Sequence, residues 1–167
     1  RSILANPANP KTLERLNKLV KFREVIRPLA PMATLEAAKK FFDLAPGAAD
    51  DDFNAYNYMV LTARARPEAH RAIPAAIHVD GTCRVQIVRE RVDPFVHAFL
   101  TAMGRRIGAE VSVNTSINVG APIAQTPMHA LETLKRSTGM HALFMIAESG
   151  DVFLAWHDVK KGIKDGG

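Results

Sequence analysis

The chain has 167 residues and a mass of 18.3 kDa, a length that fits one domain with a sizeable core. Hydrophobic residues at 47% and charged residues at 23% are globular proportions, which exclude a disordered polymer and a collagen-like repeat. The 22 lysines and arginines against 17 aspartates and glutamates leave a net charge of +5 and a pI near 9.6, so anionic partners are expected.

The single Cys83 excludes an internal disulfide, a cysteine-built zinc site and a redox pair, and fits a reducing, cytoplasmic location. Apolar runs fall short of the roughly 18 residues that cross a bilayer, so no membrane partner is expected. The chain opens on Arg1, which points to a domain excised from a longer protein.

Taken in order, Asn9-Pro10 predicts a helix start, with an acceptor at N-cap and proline at N1, followed by Leu13, Leu16 and Val20 on one face. Thr34 caps a second helix through Leu35, Ala38, Phe41 and Phe42. Residues Ala45 to Asp52, where breakers run into three acids, read as an exposed loop. From Thr82 to Val88, period two places Thr82, Arg84 and Gln86 on one face of a strand and Cys83, Val85 and Ile87 on the other. Asp93-Pro94 starts a helix whose apolar face is Phe95, Phe99 and Met103. From Val111 to Ser116 the alternation gathers Ser112, Asn114 and Ser116 opposite Val111, Val113 and Thr115. Thr126-Pro127 starts the last helix, with Leu131 and Leu134 inward. His141 to Ala147 reads as a strand buried on both sides, paired with Val152 to Trp156 through a Ser149-Gly150 turn. Together these predict an α/β fold with a twisted, mixed sheet and flanking helices.

Three constellations carry candidate chemistry. The basic run Lys18, Lys21, Arg23 and Arg27 suits a phosphate or carboxylate, with Lys21 and Arg23 sharing a side if the segment is extended; on composition alone, a solvated helix end is the preferred reading. The run Asn114 to Gly120 (NTSINVG) offers short polar groups and a glycine for an anion nest, or equally an Asx-type turn that ends a strand. His78 and Asp80 invite an acid-base or metal reading, but Asp80-Gly81 is first of all a hairpin turn. His70, His97, His129, His141 and His157 lack paired ligand spacing, so no metal site is predicted.

Four ordered motifs resemble one family, the O-carbamoyltransferases of the nodulation-factor and tobramycin type, in their C-terminal YrdC-like domain. Residues 1–7 (RSILANP) resemble its RSILADP, and residues 20–31 (VKFREVIRPLAP) its VKxRExxRPxAP. Residues 73–86 (IPAAIHVDGTCRVQ) resemble IPAxxHVDGTxRxQ; residues 114–123 (NTSINVGAPI) resemble NTSFNxxGEPI, with Thr126, Pro127 and Ala130 as in TPxDA. The resemblance implies one YrdC-like domain over residues 1–167, with mostly mixed or antiparallel sheet, and a Kae1-like N-terminal domain that the chain lacks. It implies that ATP and carbamoyl phosphate yield carbamoyl-adenylate, for transfer to a sugar-like hydroxyl by the Kae1-like partner domain. Magnesium is expected with the ATP, and iron in the Kae1-like domain alone.

Carried over by residue, the resemblance implies Lys21, Arg27, Arg84 and Ser116 as catalytic. It implies Arg1, Lys21, Arg23, Arg27, Arg84, Gln86, Asn114, Ser116 and Asn118 as binding ATP or carbamoyl phosphate. Leu29, Cys83, Ile117 and Ala121 depart from the family pattern; Ala121 stands where an acid is common, and Cys83 reads as a small buried hydrophobe. The alternative is an RNA-binding or tRNA-modification-related YrdC-like module. Tyr56, Tyr58 and Trp156 are not interleaved with the basic clusters, so no nucleic-acid partner is expected.

Overall fold

The structure, a computed structural model, describes residues 1–157; residues 158–167, the tail of the domain expected over 1–167, lie outside the described residues. In chain order the elements are β1 (Ser2–Ala5), α1 (Thr12–Arg15), a π-helical stretch (Leu16–Lys21), β2 (Pro31–Thr34), α2 (Leu35–Phe41) and β3 (Phe42–Asp43). There follow a 3₁₀ turn (Ala55–Tyr58), β4 (Ala63–Ala65), α3 (Pro67–Ala72), a second 3₁₀ turn (Pro74–Ala76), β5 (Thr82–Cys83) and β6 (Gln86–Val88). The last are α4 (Pro94–Ile107), β7 (Val111–Ser116), α5 (Pro127–Arg136), β8 (Ala142–Ile146) and β9 (Val152–Trp156). The mixed α/β class is the one expected, with the strands distributed over three sheets ordered β1-β7-β2-β6, β3-β4-β5 and β8-β9.

The described residues form two compact units: one of Arg1, Glu14–Val25 and residues 116–157, the other of Ser2–Leu13 and Ile26–Thr115. In the second unit β2 runs parallel to β6 and antiparallel to β7. Thr34 ends β2 and caps α2: its Oγ accepts from the Ala37 N–H at 3.2 Å and donates to Glu110 Oε2 at 2.7 Å. The cap turns Ala37, Ala38 and Phe41 into a core shared with Phe42, Ile73, Cys83, Val85, Ile87 and Val111.

Asp93 caps α4 as expected, accepting from the Val96 N–H at 2.9 Å, and Gly108 closes it in the left-handed region. The inward face differs by one residue. Leu100 is fully buried beside Met32 and Val88, with Val96 and Phe99 against it, whereas Phe95 is 67% exposed. Phe95 sits one position, about 100° of helical turn, from Val96 and so points away. Asn9 forms a tight turn through Lys11 and Thr12, so the first helix begins at Thr12, two residues past Pro10.

The strand expected from Thr82 to Val88 is two strands. Thr82 and Cys83 pair with β4, and Gln86 to Val88 pair with β2, so the chain passes from one sheet to another across Arg84 and Val85. The alternation in burial survives the transfer: Cys83, Val85 and Ile87 are buried while Arg84 is exposed. On β7 the polar face is less open than expected, because Ser112 is fully buried, its hydroxyl satisfied by the Ala5 and Val113 carbonyls.

In the first unit Thr126 caps α5 as expected, and Thr133 and Leu134 are buried. β8 and β9 pair through the expected turn, with Phe144 opposite Leu154. The expectation that β8 is buried on both sides is corrected: Leu143 is buried, but Phe144 is 66% exposed and Ile146 54%. An apolar run marks residues that can be covered; which face is covered depends on a second layer, and α5, which packs against β8, leaves Phe144 and Ile146 open.

Burial pushes the Cys83 thiol up to about 12, in keeping with its reading as a buried hydrophobe. The native chain should therefore resist thiol alkylation at pH 7.5 and react fully in denaturant, and Cys83→Ser should lower the urea-unfolding stability by about 1–3 kcal/mol.

Candidate functional site

The candidate site of the first unit begins with the way the chain leaves its N-terminal helix. The turns widen to π spacing from Leu16 to Lys21, and the Asn17 carbonyl accepts from both the Phe22 and the Arg23 N–H groups. Phe22 lies in the left-handed region at φ 49°, a conformation that side chains other than glycine seldom adopt. Asn17, fully buried, holds this reversal with its amide: Nδ2 donates to the Val25 carbonyl at 2.8 Å and Oδ1 accepts from Arg23 Nε at 2.8 Å. The exposed carbonyls of the turn are met by the loop after α5, where the Gly139 N–H donates to Leu19 O and the Ser137 hydroxyl to Val20 O. A Cβ on Gly139 would fall 2.8 Å from Leu19 Cβ and from Val20 Cγ2, so only glycine permits that approach.

This turn aims Lys21 at the end of β7. Its Nζ donates to Ser116 O at 2.6 Å and Asn118 Oδ1 at 2.7 Å, with Ser116 Oγ and Asn118 O each at 3.2 Å. The loop is tied internally as well. Ser116 Oγ donates to Asn118 Oδ1 at 2.6 Å, Asn118 Nδ2 to the Ala121 carbonyl at 2.6 Å, and the Ile117 N–H to the Arg1 carbonyl at 3.2 Å. The polar run therefore presents oxygens to a cation, where an anion nest would present N–H groups. All four acceptors are neutral, and no carboxylate bonds to Lys21 among the described residues.

Partial burial, and then the neighbouring Arg23 guanidinium, bring the Lys21 ammonium down from its ordinary 10.5 to about 8. Because the folded value lies below the unfolded one, keeping this group charged costs stability below pH 8, and the cost is relieved as pH rises from 8 to 10.5. The shared side expected for Lys21 and Arg23 required an extended segment. The chain here is a π turn followed by a left-handed residue, and the two cations have separate partners, Asn118 with Ser116 for one and Asn17 for the other.

The remaining expected residues lie in the second unit, Arg1 apart. Asn114 Nδ2 donates to Gln86 Oε1 at 2.8 Å, joining two of them. Arg84 is exposed and makes no hydrogen bond among the described residues; Arg27 is exposed too. His78, Asp80 and Thr82 close the predicted turn, Thr82 Oγ donating to Asp80 Oδ1 at 2.7 Å, which holds the Asp80 carboxyl below its usual value. Burial lowers the His78 imidazole, opposed by Asp80 and assisted by Arg84.

Two features escaped sequence reasoning. Asn17 was detectable as an amide on the apolar face marked by Leu13, Leu16 and Val20. A cavity of about 400 Å³, lined by Val119, Pro122, Ile123, Gln125, His129 and Glu132, follows the Ser116–Asn118 loop and had no local signature.

A protein-family model described as "Carbamoyltransferase C-terminus" matches residues 1–148. The nodulation protein NolO of Bradyrhizobium diazoefficiens is 37% identical over 134 residues, which is 80% of this chain and 24% of that protein. The 3'-hydroxymethylcephem-O-carbamoyltransferase of Amycolatopsis lactamdurans is 38% identical over 118 residues, 71% of this chain and 21% of that one. The chain thus spans about a quarter or less of the relatives it matches. Among solved structures, full-length HypF in its phosphate- and nucleotide-bound form aligns with a TM-score of 0.55 at 20% identity, covering 92% of this chain and 17% of its own, a likeness of fold.

A pH titration followed by side-chain NMR should find one lysine amine with a midpoint near 8. In Arg23→Gln that midpoint should move upward, since one of its two causes is removed. A midpoint near 10.5 in both proteins would contradict the arrangement described.

Proposed function

The chain belongs to the carbamoyltransferase C-terminus family, and from that membership we propose that it binds ATP and carbamoyl phosphate and forms carbamoyl-adenylate. A Kae1-like domain of a longer polypeptide then moves the carbamoyl group to a hydroxyl of a sugar-like acceptor. One observation carries this reading: a partly buried ammonium, with a second cation beside it, is held in place by four neutral oxygens and, among the described residues, by no carboxylate. A structural lysine is ordinarily neutralised by an acid. Here the positive charge is left for an anion from outside.

The geometry also suggests which proton is offered. An ammonium has three protons; two are anchored on Ser116 O and Asn118 Oδ1 at 2.6 and 2.7 Å, and the third is divided between two acceptors at 3.2 Å. An incoming phosphoryl oxygen can take the third without disturbing the anchors. In the reaction water first cleaves carbamoyl phosphate to carbamate and inorganic phosphate; a carbamate oxygen then bonds to the α-phosphorus of ATP as the bond from that phosphorus to the bridging oxygen breaks and pyrophosphate leaves. Charge gathers on phosphoryl oxygens, where Lys21 and Arg23 stabilise it by position alone. Ser116 and Asn118 supply a hydroxyl and an amide to orient the planar carbamate.

In the second unit we assign Arg84 and Arg27 to phosphate binding, and the bonded pair Gln86 and Asn114 to polar contacts with the ligand, as the family motifs imply; Arg1 is assigned likewise. Among the described residues no three His, Cys, Asp or Glu side chains gather as metal ligands, so magnesium would be held by the triphosphate it accompanies and would add charge neutralisation there.

Calorimetric titration with a non-hydrolysable ATP analogue, with and without carbamoyl phosphate, tests the reading. Lys21→Met is expected to weaken binding about tenfold to a hundredfold, with smaller losses in Ser116→Ala and Arg84→Ala. Wild-type affinity should fall as pH rises through about 8, because the neutral amine cannot hold the anion. Unchanged binding in all three variants would refute the assignment, as would tight, steeply salt-dependent RNA binding in place of nucleotide binding.

A further inference from the structure

Outside the candidate site, the most uneven surface among the described residues is the β8–β9 hairpin. Its register puts Phe144 opposite Leu154 and Ile146 opposite Val152, with Trp156 opposite Ala142, so these side chains share one face. Five of them are large and open to solvent: Phe144 66%, Ile146 54%, Val152 60%, Leu154 49% and Trp156 63%. On the opposite face Leu143 is buried and Met145 and Ala155 half-buried, with Phe153 56% exposed; an antiparallel pair packed on one side normally turns polar residues outward, and here the outward residues are apolar on both strands. The exposed apolar area is on the order of 500 Å², at the top of what a monomer's largest patch reaches and more than half of one side of a standard interface.

We propose that this face is a docking surface for another domain of the same polypeptide, which meets it with an apolar surface of its own. Two observations select that occupant. The relatives are four to five times longer than the part this chain matches, so proteins built this way have further domains to cover it. Residues 158–167 carry only Val159 and Ile163 as large apolar side chains, too few to cover five. The inference does not depend on adenylation: a domain of any activity would need the same cover.

The test uses the protein expressed from its complete reading frame, with a photo-crosslinking phenylalanine analogue at Leu154 and, as control, at Glu148 in the turn. Position 154 should crosslink within one polypeptide to residues outside the 167, and position 148 at least about tenfold less. Phe144→Ser with Leu154→Ser should speed protease release of the domain by roughly tenfold, the effect of losing about 1.4 kcal/mol of association. Crosslinks to a second copy alone, crosslinks to residues 158–167 alone, no crosslink at position 154, or a reading frame with no further domain would each overturn the proposal.

Discussion

An ammonium with three protons faces four oxygens at the end of β7, and much of the first unit is arranged to bring it there. Lys21 reaches Ser116 and Asn118 because the helix widens to π spacing in its last turns and reverses at a left-handed phenylalanine. That reversal is costly for a backbone. It is held by Asn17, whose amide and carbonyl together tie Phe22, Arg23 and Val25. The loop from Ser137 to Gly139 then satisfies the carbonyls that the reversal leaves unpaired.

Among the described residues Lys21 bonds to neutral acceptors alone, and this separates it from an ordinary ion pair. A carboxylate beside Lys21 would stabilise the empty fold and compete with any ligand. Neutral acceptors position the cation and leave its charge available, at the cost of a depressed pKa. In the function proposed above, that available charge serves phosphoryl chemistry.

Local features were legible to the degree that their causes are local. Thr34, Asp93 and Thr126 each cap the helix that follows by accepting from the N–H three residues ahead, and a side-chain acceptor followed by proline or a helix former records this directly. Cys83, Val85 and Ile87 are buried as their alternation requires. The same alternation could not show that the chain changes sheets between Cys83 and Gln86, since either partner strand satisfies the pattern. Phe95 was misassigned because a helix face one residue wide of the true one fits nearly as many apolar positions. The exposure of Phe144 and Ile146 was illegible for a related reason: hydrophobicity states what a residue prefers, and packing supplies or withholds it.

By itself, then, the sequence determined the helix caps at Thr34, Asp93 and Thr126, the alternating burial of Cys83, Val85 and Ile87, the inert burial of Cys83 and, through four ordered motifs, the family. Only the tertiary structure decided what Lys21 and Arg23 touch, because Lys21 and Ser116 are 95 positions apart and their meeting depends on a turn built by Asn17. It also decided that the loop gathers acceptors around a cation, and that among the described residues nothing covers Phe144, Leu154 and their neighbours on one face of β8–β9. The division follows the range of the interactions: capping and alternation act within a few residues, whereas a cation's neighbours and a sheet's cover are set by where distant segments come to lie.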